Sequence, residues 1–259
     1  MKRAGIFRAA MVASTLAVAF GVGAAGAMAP TGHDAAARVA APDPREADTL
    51  FAAMTMKPGF GPSDHDAYEA RIAPIAAAHG MRRTEALTVT KFLGGTGPGD
   101  AATLGFWSLA TPDAVQRVMG DPRYQAQAPY RNQVHDMANV AMYNAREAIS
   151  GAPAPAGHVL LVGLIAMKSG FTFEDHAAYE DRVASVTRRH GMRLVRAYRV
   201  INRLGNVGAG NVAAIYVWSL PTPDALGAIM QDPEYVANVA ERDRTHDMRA
   251  TTMYFAAAR

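Results

Sequence analysis

The chain has 259 residues, no cysteine, two tryptophans and a formal charge of +3 from 26 basic and 23 acidic side chains. The lack of cysteine excludes disulfide staples, thiolate catalysis, iron–sulfur clusters and Cys-ligated zinc. Lys2, Arg3 and Arg8 account for the whole charge excess, so the remainder of the chain is formally neutral, and an electrostatic case for nucleic acid as a partner fails.

Those three cations precede an apolar run from Ala9 to Ala25, closed by Ala25-Gly26-Ala27. A charged start, a short apolar core and a small-x-small cleavage site predict a signal peptide over 1–27. The expected protein is therefore periplasmic or secreted, with no membrane contact once the leader is removed. Residues 28–47 are rich in Ala, Pro and Asp without periodicity and read as a flexible spacer.

From Leu50 onward the chain repeats itself. Residues 50–148 reappear at 161–259, shifted by 111 positions without a gap, with 42 of 99 positions identical. The expected units are 48–148 and 158–259, joined by an Ala/Pro linker at 149–157. Within a unit, 49–57 reads as a strand, and a Gly/Pro loop leads to Ser63 as a helix N-cap. His65, Tyr68, Ile72, Ile75 and His79 come next at helical spacing on one stripe, and Gly80 ends the helix. Met81 to Leu93 and Ala102 to Leu109 read as strands separated by a glycine-rich loop. Thr111-Pro112-Asp113 and Asp121-Pro122 start helical segments, the second running to about His135, and Met137 to Ala145 closes the unit as a strand.

The order β-α-β-β-α-β predicts an α+β fold. Each unit is a ferredoxin-like four-stranded antiparallel sheet with its helices on one face. The other face is left bare and apolar, so the two sheets are expected to pack on each other as an intrachain pseudo-dimer. The strand–helix order, the Trp-Ser-Leu-x-Thr-Pro-Asp-Ala segment, and Asp-Pro-x-Tyr followed by Arg131 resemble the dimeric α/β-barrel superfamily. Within it the chain is similar to DUF1330 domains and, through the fused pair and the Met-Lys-Pro-Gly turn, to NIPSNAP-type proteins. The resemblance implies a barrel that takes a small molecule. It carries over no catalytic signature.

Six of the eight histidines are repeated pairs: His65/His176, His79/His190 and His135/His246. His79 and His190, in a last helical turn, suit C-terminal capping. His65 and His176 are candidate bases, with Tyr68/Tyr179 beside them and Arg71/Arg182 to position an oxyanion. The competing reading is packing under the Gly/Pro loop. His135/His246 and Tyr143/Tyr254 form a candidate edge of a ligand cavity, and Trp107/Trp218 a candidate aromatic wall, against plain joining and core roles. No metal site is expected, because no His-x-His, His-x-x-x-His or Met cluster occurs to favour copper. No cofactor is expected either: haem could use a paired histidine but has no covalent attachment motif. The glycine loops lack the helix and Lys-Ser/Thr ending of a phosphate loop. The main expectation is an accessory, non-catalytic binder of a small apolar or aromatic molecule. The alternative is a cofactor-independent monooxygenase or isomerase with a His base. Pairing into a homodimer is left open.

Overall fold

A computed structural model describes Asp43 and residues 46–259. The expected leader and nearly all of the spacer lie outside the described residues. The first half runs β1 (Thr49–Thr55), α1 (Pro62–Ala78), β2 (Met81–Gly94), β3 (Ala101–Leu109), α2 (Ala114–Gly120), α3 (Pro122–Gln125), α4 (Ala128–Val134) and β4 (Ala141–Ser150). The second half repeats the order: β5 (Val159–Ala166), α5 (Phe173–Arg189), β6 (Arg193–Arg203), β7 (Val212–Leu220), α6 (Asp224–Gln231), α7 (Pro233–Val236), α8 (Val239–Thr245) and β8 (Thr252–Ala258).

The strands form one closed antiparallel barrel in the order β1-β3-β2-β8-β5-β7-β6-β4. Each half contributes four adjacent strands, β4-β1-β3-β2 and β8-β5-β7-β6. The halves are joined at both edges, by β2 to β8 and by β4 to β6. The expected facing of two apolar sheets is thus only part of the arrangement. Their edges are also hydrogen-bonded, which leaves no exposed strand edge in the sheet.

The strand sequences explain the two layers. β1 is buried at every position because its alternate side chains enter different cores. Phe51 and Ala53 join Leu104, Phe106 and Leu87, and from the other half Leu160, Val162, Ile215 and Tyr198, inside the barrel. Phe106 stacks on Tyr198 with centroids 5.2 Å apart. Leu50, Ala52 and Met54 face outward and pack with Trp107, Leu109, Val115 and Val118 under the helices. Leu161 and Ile165 of β5 do the same with Trp218 and Ile229.

Three local expectations are corrected. The first helix starts at Pro62 with Gly61 as its cap, and Asp64 reaches back to accept from the Gly61 N–H at 2.8 Å. The segment from Asp121 to His135 is two short helices, because Pro129 begins a new turn after α3 has closed. β4 starts at Ala141, since Asp136 caps a 3₁₀ turn over Met137–Asn139.

Tyr143 and Tyr254 are placed differently from expectation. They do not share a face with His135 and His246 but point into the barrel, fully buried. The Tyr254 hydroxyl donates to the carbonyl of Pro98 at 3.0 Å, and the Tyr143 hydroxyl to that of Ala209 at 3.2 Å. Each tyrosine thereby holds the glycine loop of the opposite half. The loops need their glycines for close approach. Gly95 has φ +110°, and a Cβ there would lie 2.4 Å from the Thr252 Cα; a Cβ on Gly208, φ +90°, would lie 2.3 Å from the Tyr143 hydroxyl.

Replacing Tyr254 by Phe removes one buried hydrogen bond and is expected to cost about 1 kcal/mol in urea denaturation. Gly95→Ala adds a forbidden φ and a backbone clash and is expected to cost about 3 kcal/mol. Equal, small effects of the two changes would show that the loops do not lock the halves.

Candidate functional site

The site lies between α1 and the outer face of the first half's sheet, with a copy under α5. The helix stripe buries His65, Tyr68, Ile72 and Ile75. His79, at the helix end, is only partly covered and lies 2.9 Å from the Asp121 carboxylate, which also caps α3 and accepts from Arg123. His190 and Asp232 repeat this tie at 2.8 Å. Arg123 and then His79 hold the Asp121 carboxyl well below its usual range, as Arg189 and His190 do for Asp232. These pairs fasten the end of α1 to the start of α3 and the end of α5 to the start of α7; each imidazole reaches an aspartate, not the last carbonyls of its own helix.

His135 ends α4 and bridges to Met56, just past β1. Its Nδ1 is 3.0 Å from the Arg131 carbonyl, which can only accept, so Nδ1 carries the proton and Nε2 is an acceptor. His65 Nδ1 lies 2.9 Å from that Nε2 and must donate to it. This leaves the His65 Nε2 lone pair facing Glu69 Oε1 at 4.0 Å. The second half has the same histidine pair: His246 Nδ1 lies 3.0 Å from the Arg242 carbonyl and 2.6 Å from the Thr245 hydroxyl, His176 Nδ1 2.8 Å from His246 Nε2, and His176 Nε2, without a hydrogen bond, 4.0 Å from Glu180 Oε1. The Trp218 indole N–H donates to Glu180 Oε2 at 3.1 Å, and Trp107 beside Glu69 favours the ionised form of that carboxyl.

Burial sets the charges. His65 is 3 % exposed and His135 fully buried. Desolvation, then the nearby His135 and Arg259, push the His65 pKa down to about 3. His176 lies well below its ordinary value for the same first cause, and His135 and His246 are also lowered by burial. The carboxylic acids move the other way: desolvation raises Glu69 and Glu180 to about 7. At neutral pH each site holds two uncharged imidazoles and a carboxyl near its midpoint.

The structure brings together only some of the expected residues. Tyr68 lies edge-on to His135, with centroids 5.0 Å apart, but its hydroxyl donates to Tyr124, which also accepts from Arg131. Tyr179 packs on His246 in the same way. Arg71 stacks over Tyr130 at 3.9 Å on the surface, and Arg182 is exposed, so neither reaches its paired histidine. Trp107 and Trp218 are buried against the sheet, and the Trp218 indole donates to the Glu180 carboxylate. Glu69 and Glu180 were not among the expected residues. The available signal was a carboxylate on an otherwise apolar stripe, four residues after His in both copies.

The copies differ in their contacts to the histidines: the Thr245 hydroxyl lies 2.6 Å from His246 Nδ1 where the first half has Val134, and a tyrosine packs on His176. Tyr216 is fully buried, 4.3 Å from the His176 ring and 5.2 Å from Trp218. The aligned residue in the first half is Gly105, over which Trp107 leans so closely that a Cβ would lie 2.4 Å from the indole.

No protein-family model matches the chain. No curated protein matches it. Solved structures do. An anthrone oxidase-like protein is 12% identical over 82% of this chain and 92% of its own, with a TM-score of 0.48. A mutant chlorite dismutase from Candidatus Nitrospira defluvii is 10% identical over 82% and 92%, with a TM-score of 0.45. A candidate monooxygenase from Lactobacillus acidophilus is 10% identical over 82% and 93%, with a TM-score of 0.43. No activity is transferred from them to this chain.

One expectation is overturned by these matches. Similar structures include a chlorite dismutase solved in complex with cyanide, and the expectation of no cofactor is withdrawn. The side chains of the two relays do not themselves fit a haem. Both nitrogens of His135 and His246 and the Nδ1 atoms of His65 and His176 are engaged. The remaining Nε2 atoms face Glu69 and Glu180 inside a packed seam, and His79 and His190 are tied to aspartates. Among the described residues no group of three or more His, Asp or Glu side chains gathers as a metal site, and no helix is long and apolar enough to cross a membrane.

The shifts oppose each other in pH. The lowered histidines cost stability as pH falls below 6.5 toward 3, and the raised glutamates cost stability as pH rises from 4.5 through about 7. Glu180→Gln removes one alkaline contribution. Between pH 5 and pH 8 the variant is expected to lose about 2 kcal/mol less than the parent in denaturant titrations. Parallel pH profiles would contradict the raised carboxyl.

Proposed function

We propose that the chain is an enzyme of the dimeric α/β-barrel kind that moves a proton on a small organic substrate. Its two halves, on this reading, are ferredoxin-like units forming an internal pseudo-dimer, as their matching strand orders and two-edged closure support. The observation that carries the function is the Glu69–His65–His135 chain: a buried carboxyl poised near neutrality, beside imidazoles of defined tautomer. General acid–base groups work best with a pKa close to the working pH. His65 was the expected base, but burial makes it a weak one, so we assign the proton to Glu69. The Trp107 indole favours its ionised form, and His65 and His135 act as positioning residues. Glu180 is the corresponding group of the second half.

The reading of an accessory binder with an apolar cleft has less support. The space between sheet and helices is occupied by Leu50, Met54, Trp107 and Val115, and the barrel interior by aromatic and aliphatic side chains of both halves. The leader read over 1–27 supports an exported enzyme. The Trp-Ser-Leu-x-Thr-Pro-Asp-Ala segment and the fused pair support DUF1330-like and NIPSNAP-like repeats within the superfamily.

The test uses 5-nitrobenzisoxazole, whose ring opens when a base removes its carbon-bound proton and which reports as a coloured phenolate. The rate is expected to rise with pH through about 7, following Glu69. Glu69→Gln is expected to lower it at least ~100-fold. A rate equal to buffer, or one untouched in Glu69→Gln, would end the acid–base reading.

A further inference from the structure

The duplication provides an internal comparison. Both halves keep the Trp, Glu and two His of the relay, so a surface feature present beside only one relay has been acquired or retained separately. One such feature is a cavity of about 310 Å³ lined by Asp66, Arg83, Thr84, Glu85, Ala86 and Arg259. That volume is at the lower end of small-molecule sites.

We propose that this cavity recognises a small carboxylic acid through Arg83 and Arg259, and that a substrate site lies beside the first half's relay alone. The proposal rests on the acid–base reading only in making the bound acid a substrate. Arg83 Nη1 lies 3.3 Å from one oxygen of Asp66, and Arg259 Nη1 2.5 Å from the other. Arg259 also approaches the Pro62 carbonyl at 3.4 Å. Glu85 is paired with Arg196 of the second half and does not compete for these two guanidiniums. Each guanidinium carries five N–H donors in a planar fork, so one half-exposed aspartate satisfies only part of the two sets. A ligand carboxylate fits the remainder with bidentate geometry.

The cavity also adjoins the relay. Arg83 and Arg259 both act electrostatically on His65 and on Glu69, favouring the neutral imidazole and the ionised carboxyl. An acid held by the two arginines therefore sits where its charge and the Glu69 proton influence each other. In the second half the aligned residues are Leu194 for Arg83, Ala177 for Asp66, Arg196 for Glu85 and, for Arg259, Ala148 of the first half's β4. The charged pocket has no counterpart there, and Tyr216 packs against the relay in place of Gly105.

Calorimetric titration of the full chain with benzoate tests the proposal, with benzamide as the neutral analogue and inorganic phosphate as the other oxyanion. One equivalent of benzoate is expected to bind, with benzamide and phosphate at least tenfold weaker. Arg83→Leu, which installs the second half's residue, is expected to weaken benzoate at least tenfold. Arg83→Lys should fall between them, and Arg182→Leu, far from the cavity, should leave binding unchanged. Thermal midpoints of the variants check that each is folded. Two equivalents per chain, equal binding of benzamide or phosphate, or indifference to Arg83→Leu would overturn the proposal. Arg83-dependent benzoate binding without any benzisoxazole opening would leave the pocket standing and defeat the acid–base reading alone.

Discussion

The structure depends on the two hydrogen-bonded seams between its halves. Each four-stranded sheet has helices on only one face, and its other face presents residues such as Phe51, Phe106, Leu160 and Ile215. Exposed, such a face and its open edges would be a site for aggregation. Pairing β2 with β8 and β4 with β6 removes the edges and encloses the apolar faces together. The tyrosines at the barrel mouth add a reciprocal lock, each half holding the other's glycine loop.

Closure also shapes the chemistry outside the barrel. A sheet fixed in curvature gives α1 and α5 a firm floor, and the residues between are dry. In that seam the same desolvation moves two kinds of group in opposite directions, imidazole down and carboxyl up. The result is a proton carrier near neutral pH in a place where a solvated glutamate would be fully ionised. In the first half the direction of each hydrogen bond is set by one fixed point, the carbonyl of Arg131, which cannot donate; in the second the Thr245 hydroxyl joins the Arg242 carbonyl at His246 Nδ1. The two relays share the paired imidazoles and the carboxyl, and the halves differ at Val134 against Thr245, at Gly105 against Tyr216 and at Arg83 against Leu194.

Much of the fold was legible in the sequence because its signals are local or repeated. The 111-residue shift announces the repeated element order, the apolar residues on both sides of β1 its two faces, and the stripe from His65 to Ile75 the buried side of α1. The edge pairing was not legible, since nothing local in β2 or β4 distinguishes an edge that meets solvent from one that meets another sheet. The site was legible in part. The convergence of His65 with His135 joins residues 70 positions apart and depends on how α4 hands over to β4. Tyr143 lies inside the barrel, apart from His135, because the 3₁₀ turn after Asp136 breaks the alternation between them. Glu69 passed as an ordinary helical glutamate; only its neighbours on the stripe mark it as buried.

The most direct test of the account is a carbon-13 titration of the glutamate side-chain carboxyls in the folded chain. Two resonances are expected to titrate near pH 7, one absent from Glu69→Gln and the other from Glu180→Gln, while the ring signals of His65 and His176 stay neutral over the same range. Titration of every glutamate below about pH 5, or protonation of either imidazole near its ordinary value, would contradict it.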